Sequence, residues 1–156
     1  MSVYAEIPET DVFFSSRSDA IHWQSLSEET KQKALEQATQ ILDASFDWNG
    51  IPVSEDQPLR WPRKNVLDLD GFPVDPELIP RKVRIAAMEQ ALFLTDPVRT
   101  LKSNGIKNAS VGKMSLSLTI PAEETVAPAA VALLRGLGTL RSGGSAFAKC
   151  GTLVRG

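Results

Sequence analysis

A chain of 156 residues is long enough for one domain with a core of its own and too short for two ordinary domains. Its hydrophobic content of 42% and charged content of 23% match globular averages, which excludes wholesale disorder. The apolar runs are too short to span a membrane and the first residues lack a signal-peptide pattern, so we expect a protein made in a cytoplasm.

Charge is distributed unevenly along the chain. Residues 1–96 carry 9 Lys and Arg against 17 Asp and Glu, a net charge of -8, and residues 97–156 carry 8 against 2, a net charge of +6. Such polarity is common in proteins that stack head-to-tail or meet a charged partner at one end. The alternative is that both sets of charges are solvated surface.

The clearest predicted element is a helix that starts after Ser27. Before this helix, residues 1–14 show no sustained period, which predicts an extended N-terminal arm. Residues 16–25 are long enough to form two helical turns. Ser27 is a good N-cap, and Asn49 and Gly50 end the pattern. Apolar residues recur at three- and four-residue spacing and predict one buried stripe, which Trp48 extends: Ala34, Leu35, Ala38, Ile41, Leu42 and Phe46.

Residues 51–79, here called the connection, contain five prolines and no helical period. A stretch of this length without regular structure predicts a function or a docking role. Within it, residues 57–63 read QPLRWPR and are here called the strap. One interpretation makes Trp61 a stacking platform for single-stranded nucleic acid, with the flanking cations on phosphates.

The second interpretation of the strap is structural, and the acidic character of this half of the chain favours it. Trp61 would lie buried between the two main helices, and Pro62 would set the direction of the chain. Arg60 or Arg63 would then pair with a helix carboxylate, Asp43 or Asp47.

A second helix should begin at Pro80 and end before Asp96 and Pro97, with a face of small residues that lets another helix approach closely. Alternating apolar and polar residues predict a β-hairpin near residues 106–120. A short helix should start near Pro128 and fade at Gly136. The expected fold class is mainly α: a helical bundle over residues 15–138, with a β-hairpin, a long proline-rich connection and an extended C-terminal tail, residues 139–156.

The sequence offers little catalytic chemistry. His22 is the one histidine and Cys150 the one cysteine, which are too few for a zinc site within one chain. Residues 68–75 superficially resemble a calcium loop but lack its ligand spacing, so we expect a solvated turn. Glycine-rich phosphate-binding motifs are absent. We therefore expect no enzyme, no cofactor and no metal.

Four segments taken together resemble a family of short tailed-bacteriophage proteins encoded with the head genes: KQKALEQATQILDASFDWNG, QPLRWPR, IPRKVRIAAMEQALFL and SVGKMSLSL. Members are labelled head-tail connector or adaptor proteins, and some carry the label of a DnaT-like single-stranded-DNA-binding domain. The resemblance covers roughly residues 10–140.

The resemblance implies a structural protein of the virion neck, made in the host cytoplasm, whose copies form a dodecameric ring. Its partners would be other copies, the portal protein and a tail or head-closure protein, with no membrane. Genomic double-stranded DNA would pass through the lumen without sequence-specific binding. The alternative is a replication accessory protein that coats single-stranded DNA.

Residue roles follow from the same resemblance. The bundle would use residues 28–46 and 80–95, and the C-terminal tail would attach to the portal. The expected portal-binding residues are Arg135, Arg141, Phe147, Lys149, Leu153 and Arg155. The expected structural residues of the strap and its surroundings are Trp48, Leu59, Arg60, Trp61, Pro62 and Arg63.

Overall fold

The computed structural model describes residues 2–99 and 125–141, and most of their regular structure is helical. The α-helices are α1 (Ile7–Phe14), α2 (Ile21–Gln24), α3 (Glu28–Ser45), α4 (Arg81–Leu94) and α5 (Pro128–Leu133), with a 3-10 turn at Ser18–Ala20. The strands are β1 (Phe46–Trp48), β2 (Ile51–Pro52), β3 (Arg63–Lys64) and β4 (Gly138–Leu140). The predicted mainly α fold class is confirmed, and the hairpin predicted near 106–120 lies outside the described residues.

Helix α3 forms for the reasons that its sequence suggests. The Ser27 hydroxyl accepts a hydrogen bond from the Thr30 backbone N–H, which caps the helix, and Glu28 and Glu29 lie at the positive end of its dipole. Its buried stripe comprises Lys31, Ala34, Leu35, Ala38, Thr39 and Leu42. The helix ends at Ser45 because the next three residues become strand β1.

Helix α4 packs against both α3 and α5. Pro80 has an extended backbone and is the N-cap, so the helix starts one residue later than predicted. Ala86, Ala87 and Ala91 are fully buried, which allows the close approach that their size predicts. Gln90 is buried beside them and joins α4 to the segment before α5. Its side chain accepts from the Ala127 N–H and donates to the Thr125 carbonyl, so both of its polar ends are satisfied.

The N-terminal residues are not the extended arm that the sequence predicts, because residues 7–14 form α1. Pro8 is compatible with the first turn, because the N–H groups there make no hydrogen bond within the helix. Phe14 and Tyr4 are 1% and 3% exposed, so contacts with the bundle stabilise this helix in place of an amphipathic period of its own.

Helix α3 runs antiparallel to both α1 and α4. Contacts between the α1 region and α4 follow the same chain direction: Glu9 with Arg84, and Arg17 with Glu89. Contacts between the α1 region and α3 follow opposite directions: Tyr4 with Thr39, and Asp11 with Lys31. One end of the bundle therefore carries the connection, and the other end carries α2 and the end of α4.

Strand β4 corrects the predicted boundary of the C-terminal tail. It pairs antiparallel with β1, in the register Phe46 to Leu140 and Trp48 to Gly138. The pairing continues one step further, where the Arg141 N–H donates to the Ser45 carbonyl at 2.7 Å. Residues 139–141 therefore belong to the domain, since the open edge of β1 provides hydrogen-bond partners for them.

Candidate functional site

Trp61, in the middle of the strap, lies in the core with 1% of its surface exposed. It meets Trp48 edge-to-face at 5.7 Å between ring centroids, and Trp48 stacks on Phe46 at 5.2 Å. Leu59 packs against the same core, and Pro62 follows through a cis peptide bond. An indole enclosed in this way has no free face on which a nucleic-acid base can stack.

Arg63 fastens the strap to the turn after β1. Its guanidinium donates to three backbone carbonyls: Asn49 at 2.7 Å, Gly50 at 2.8 Å and Arg60 at 3.1 Å. The residue is 7% exposed, and this burial lowers the pKa of its guanidinium. A planar fork of donors suits such a set of acceptors, so the contact positions the whole strap.

Asp43 of α3 binds the strap through a backbone hydrogen bond. Its carboxylate accepts hydrogen bonds from the Arg60 backbone N–H and from the Tyr4 hydroxyl. The same hydroxyl accepts from the Trp61 backbone N–H at 3.3 Å. Burial raises the pKa of Asp43 and also that of Tyr4, which keeps the hydroxyl protonated as the donor. The predicted ion pairs of the strap arginines with Asp43 or Asp47 are replaced by these backbone contacts.

Apolar side chains of the connection are exposed to solvent. Phe72 is 67% exposed and Leu78 is 62% exposed, although large apolar residues usually lie inside. The apolar surface residues of the connection, the name used below, are Ile51, Val53, Leu67, Leu69, Phe72 and Leu78. Several exposed apolar side chains in one segment are typical of surfaces that bind another macromolecule.

Acidic side chains accompany these apolar residues. The connection carries six acidic residues against three basic ones, and the basic Arg63 is buried. The acidic residues are Glu55, Asp56, Asp68, Asp70, Asp75 and Glu77. This end of the bundle therefore combines exposed apolar surface with net negative charge.

The connection is held in shape by local contacts. Gly50, between β1 and β2, has φ of +71°, and a Cβ there would lie 2.3 Å from the Lys64 carbonyl oxygen, so only glycine fits. The Asp68 carboxylate accepts from the N–H groups of Asp70 and Phe72, which makes the predicted turn. Leu69 lies against Gly136, where a Cβ would come within 2.7 Å of its side chain.

The expected portal-binding residues divide into two sets. Arg135 is exposed, whereas the Arg141 side chain donates to the Asp47 carboxylate at 2.6 Å and to the Ala44 carbonyl at 3.4 Å. The remaining four lie outside the described residues: Phe147, Lys149, Leu153 and Arg155.

A groove of about 480 Å³ opens between α3, the strap and Ser2. It is here called the α3–strap groove, and mostly apolar groups line it. Its other lining residues are Thr39, Gln40, Asp43, Ala44, Pro58, Leu59 and Arg60. No sequence pattern indicated it, because it combines residues that are far apart along the chain.

The one histidine of the chain makes a contact within the fold. His22 Nε2 lies 3.4 Å from the Thr95 hydroxyl, at the end of the bundle opposite the connection. Within residues 2–99 and 125–141, the side chains of His, Cys, Asp and Glu do not gather in a group that could hold a metal ion. In the same part of the chain, no helix combines the length and the apolar character needed to cross a bilayer.

Sequence reasoning missed two parts of this region. Tyr4 and Asp43 meet across 39 positions, and a lone tyrosine near the start of a chain gives no signal of such a contact. The exposed apolar residues did have a signal, since Leu67, Leu69 and Phe72 stand in a proline-rich, acidic stretch with no periodicity that would bury them.

Comparison with known proteins identifies one family. No curated protein and no solved structure matches the chain. A family model described as "Putative DnaT-like ssDNA binding protein" matches residues 2–156, which is nearly the whole sequence. The chain therefore belongs to this DnaT-like family.

Proposed function

We propose that the chain is a structural subunit of the neck of a tailed bacteriophage. Copies form a ring, dodecameric by the resemblance of its sequence motifs to connector proteins, that joins the portal to the tail and lets DNA pass. The motifs behind that resemblance include the strap, and the burial of Trp61 supports a structural role for the strap.

The observation that carries the proposal is the exposure of the apolar surface residues of the connection. A long ordered segment that displays side chains such as Phe72 and Leu78 suits contact with another protein. A ring also needs a second, different face on each copy, because its contacts are head-to-tail. Val12 and Ile21, 73% and 71% exposed near the opposite end of the bundle, are candidates for that face.

The acidic residues of the connection support the same role. A channel that conducts DNA should not grip it, since cationic contacts with phosphates hold the polyanion in place. Exposed carboxylates such as Asp70 and Asp75 repel phosphates. A ring whose lumen is lined by this end of the bundle would let DNA slide.

The first experiment is mass spectrometry of purified virions, which should detect the chain in many copies per particle. Electron microscopy of the chain mixed with portal protein should then show rings on the portal. The Phe72→Asp, Leu78→Asp double variant should lose these rings, whereas Gln37→Asp on an exposed face of α3 should keep them. Virions that lack the chain would refute the proposal.

The family description favours a second candidate, binding of single-stranded DNA. Such binding should weaken steeply between about 50 and 200 mM salt, because bound cations replace the counterions of the phosphates. Trp61 is buried, so its variants would perturb the fold instead of testing a contact. The exposed cations Arg60 and Lys64 are the residues to change to Ala.

Fluorescence anisotropy with a labelled oligonucleotide separates the two candidates. The neck proposal expects little binding at physiological salt and no difference between the wild type and the Arg60→Ala, Lys64→Ala variant. Tight, salt-sensitive binding by a chain that is absent from virions would establish the second candidate instead.

A further inference from the structure

Residues 66–74, here called the 66–74 loop, form a folded projection within the connection. The Asp68 N–H donates to the Phe72 carbonyl at 2.8 Å, and the Val74 N–H donates to the Val66 carbonyl at 2.9 Å. Val66 is buried and Val74 packs against the core, so both ends of the loop are fixed to the domain. A loop held in one shape loses little conformational freedom when it binds, which favours its use as a contact.

The tip of the 66–74 loop carries apolar side chains together with one exposed carboxylate. Leu67 is 59% exposed and Phe72 is 67% exposed. Asp70 is exposed between them in the sequence, whereas the Asp68 carboxylate accepts hydrogen bonds from two backbone N–H groups of the turn. Aromatic side chains are enriched at the centres of protein interfaces, where they fill pockets on the partner. The loop therefore offers an aromatic ring, apolar surface and a negative charge.

The α3–strap groove has the complementary properties. Its volume of about 480 Å³ is in the range of sites that enclose small ligands, so a phenyl ring fits inside it. Three of its lining residues are apolar: Ala44, Pro58 and Leu59. Arg60 lines the groove and is exposed, whereas the partly buried Asp43 carboxylate already accepts from the Arg60 backbone N–H and the Tyr4 hydroxyl. The exposed charge of the groove is therefore positive and opposite to that of Asp70.

The loop and the groove are built by different parts of the chain, so one copy can offer both surfaces at once. The groove is formed by α3, the strap and Ser2. The loop lies against Gly136, in the turn between α5 and β4, through its Leu69 side chain. A contact between two different surfaces of identical subunits is head-to-tail, and it closes into a ring when the rotation between copies allows it.

We infer that the 66–74 loop of one copy binds in the α3–strap groove of the next copy. The Phe72 ring lies against the apolar walls of the groove, and the Asp70 carboxylate lies beside the Arg60 guanidinium. This inference rests on the proposed function, because it assigns the contact between neighbouring copies of the neck ring. It goes further by naming the two surfaces that meet.

Charge reversal tests the pairing in the full chain. Sedimentation velocity of the wild type should show self-association that increases with concentration. Asp70→Arg and Arg60→Asp should each weaken this association by about tenfold or more, because like charges then face each other. An equimolar mixture of the two variants should restore it, since every contact between unlike chains joins opposite charges. Glu55→Arg and Lys64→Asp, at exposed positions elsewhere in the connection, are the matched controls and should associate like the wild type.

Three results of this experiment would overturn the inference. They are association that charge reversal leaves unchanged, a mixture of the two variants that stays dissociated, and a wild-type chain that is monomeric at about 1 mM.

Crosslinking separates the groove from other receiving surfaces. The single native cysteine is first removed by Cys150→Ser. A chain with Asp70→Cys, mixed with a chain with Arg60→Cys, should then give a covalent dimer with a short bismaleimide. Val12→Cys or Ile21→Cys in place of Arg60→Cys should give none. A dimer through either of these positions instead, or reaction of Asp70→Cys with portal protein alone, would overturn the inference.

The inference and the neck function can fail separately. Virions that lack the chain would refute the neck function, whereas the self-association and its charge dependence would be unaffected. A chain that is present in virions but ignores the charge reversal would overturn the loop–groove contact and leave the neck function in place.

Discussion

The hydroxyl of Tyr4 donates a hydrogen bond to the carboxylate of Asp43 on α3. The same hydroxyl accepts a hydrogen bond from the Trp61 backbone N–H. One side chain therefore connects the N-terminal residues, α3 and the strap. Tyr4→Phe removes one hydroxyl, which takes the hydrogen-bond acceptor from the buried Trp61 N–H and leaves the Asp43 carboxylate with the Arg60 N–H alone.

Tyr4→Phe should lower the free energy of unfolding by about 2 to 3 kcal/mol, because a buried polar group that loses its partner keeps its desolvation cost. Chemical denaturation measures the change. Ser15→Ala, which removes an exposed local hydrogen bond, should stay within about 0.5 kcal/mol of the wild type. An equal effect of the two substitutions would contradict the bridging role of Tyr4.

Asp43 should make stability depend on pH in an uncommon direction for a carboxylate. Burial raises its pKa in the fold above the ordinary value of 3.8, so between these two values the folded state holds a proton that the unfolded state has lost. The free energy of unfolding therefore falls as pH rises through this window. Asp43→Asn should lack this fall. The difference between the pH profiles of the wild type and the variant separates the contribution of Asp43 from those of other carboxylates. Parallel profiles would show that burial does not control this group.

Arg63→Lys should destabilise the protein by about 2 to 3 kcal/mol although it conserves charge. An ammonium group cannot reproduce the fork that binds the carbonyls of Asn49, Gly50 and Arg60, so a buried cation loses charge-assisted hydrogen bonds. Urea denaturation checks this. Lys64→Ala, at the exposed neighbouring position, is the control and should change stability by less than about 0.5 kcal/mol.

Two glycines with similar backbone angles should respond differently to alanine. Gly71→Ala has open space around the new Cβ, so it should cost only the left-handed backbone strain, about 1 to 2 kcal/mol. Gly50→Ala adds a clash with the Lys64 carbonyl and should cost about 1 to 3 kcal/mol more. Thermal and chemical denaturation of both variants give the difference. A cost at Gly50 no larger than at Gly71 would show that the turn relaxes around the added methyl group.

The elements that could be predicted from the sequence are those whose signals are local. Ser27 caps α3 because its hydroxyl and the helix start are neighbours, and the alanines of α4 show their packing face by spacing alone. Helix α1 could not be predicted in this way, because eight residues without an apolar stripe are stabilised by burial of Phe14 against distant parts of the chain.

The pairing of β1 with β4 was also beyond sequence reasoning. Each strand has three residues, and more than ninety residues separate Phe46 from its partner Leu140. No local sequence pattern predicts which residues pair when they are so far apart along the chain. The strap shows the intermediate case: the burial of Trp61 followed from a chemical argument, but the choice of carbonyls as partners for Arg63 depends on backbone positions that only the fold defines.

The β1–β4 ladder also sets how the domain responds to mechanical load. The chain leaves β4 at the same end of the ladder at which α3 enters β1, so tension that draws residue 142 away from α3 peels the strands apart. The Arg141 bond to Ser45 breaks first and the pairs beyond it follow in turn. Each rupture costs only about 0.5 to 1.5 kcal/mol. The pairing of β1 with β4 therefore breaks in small steps under tension, and the chain lengthens before the helical core is stressed.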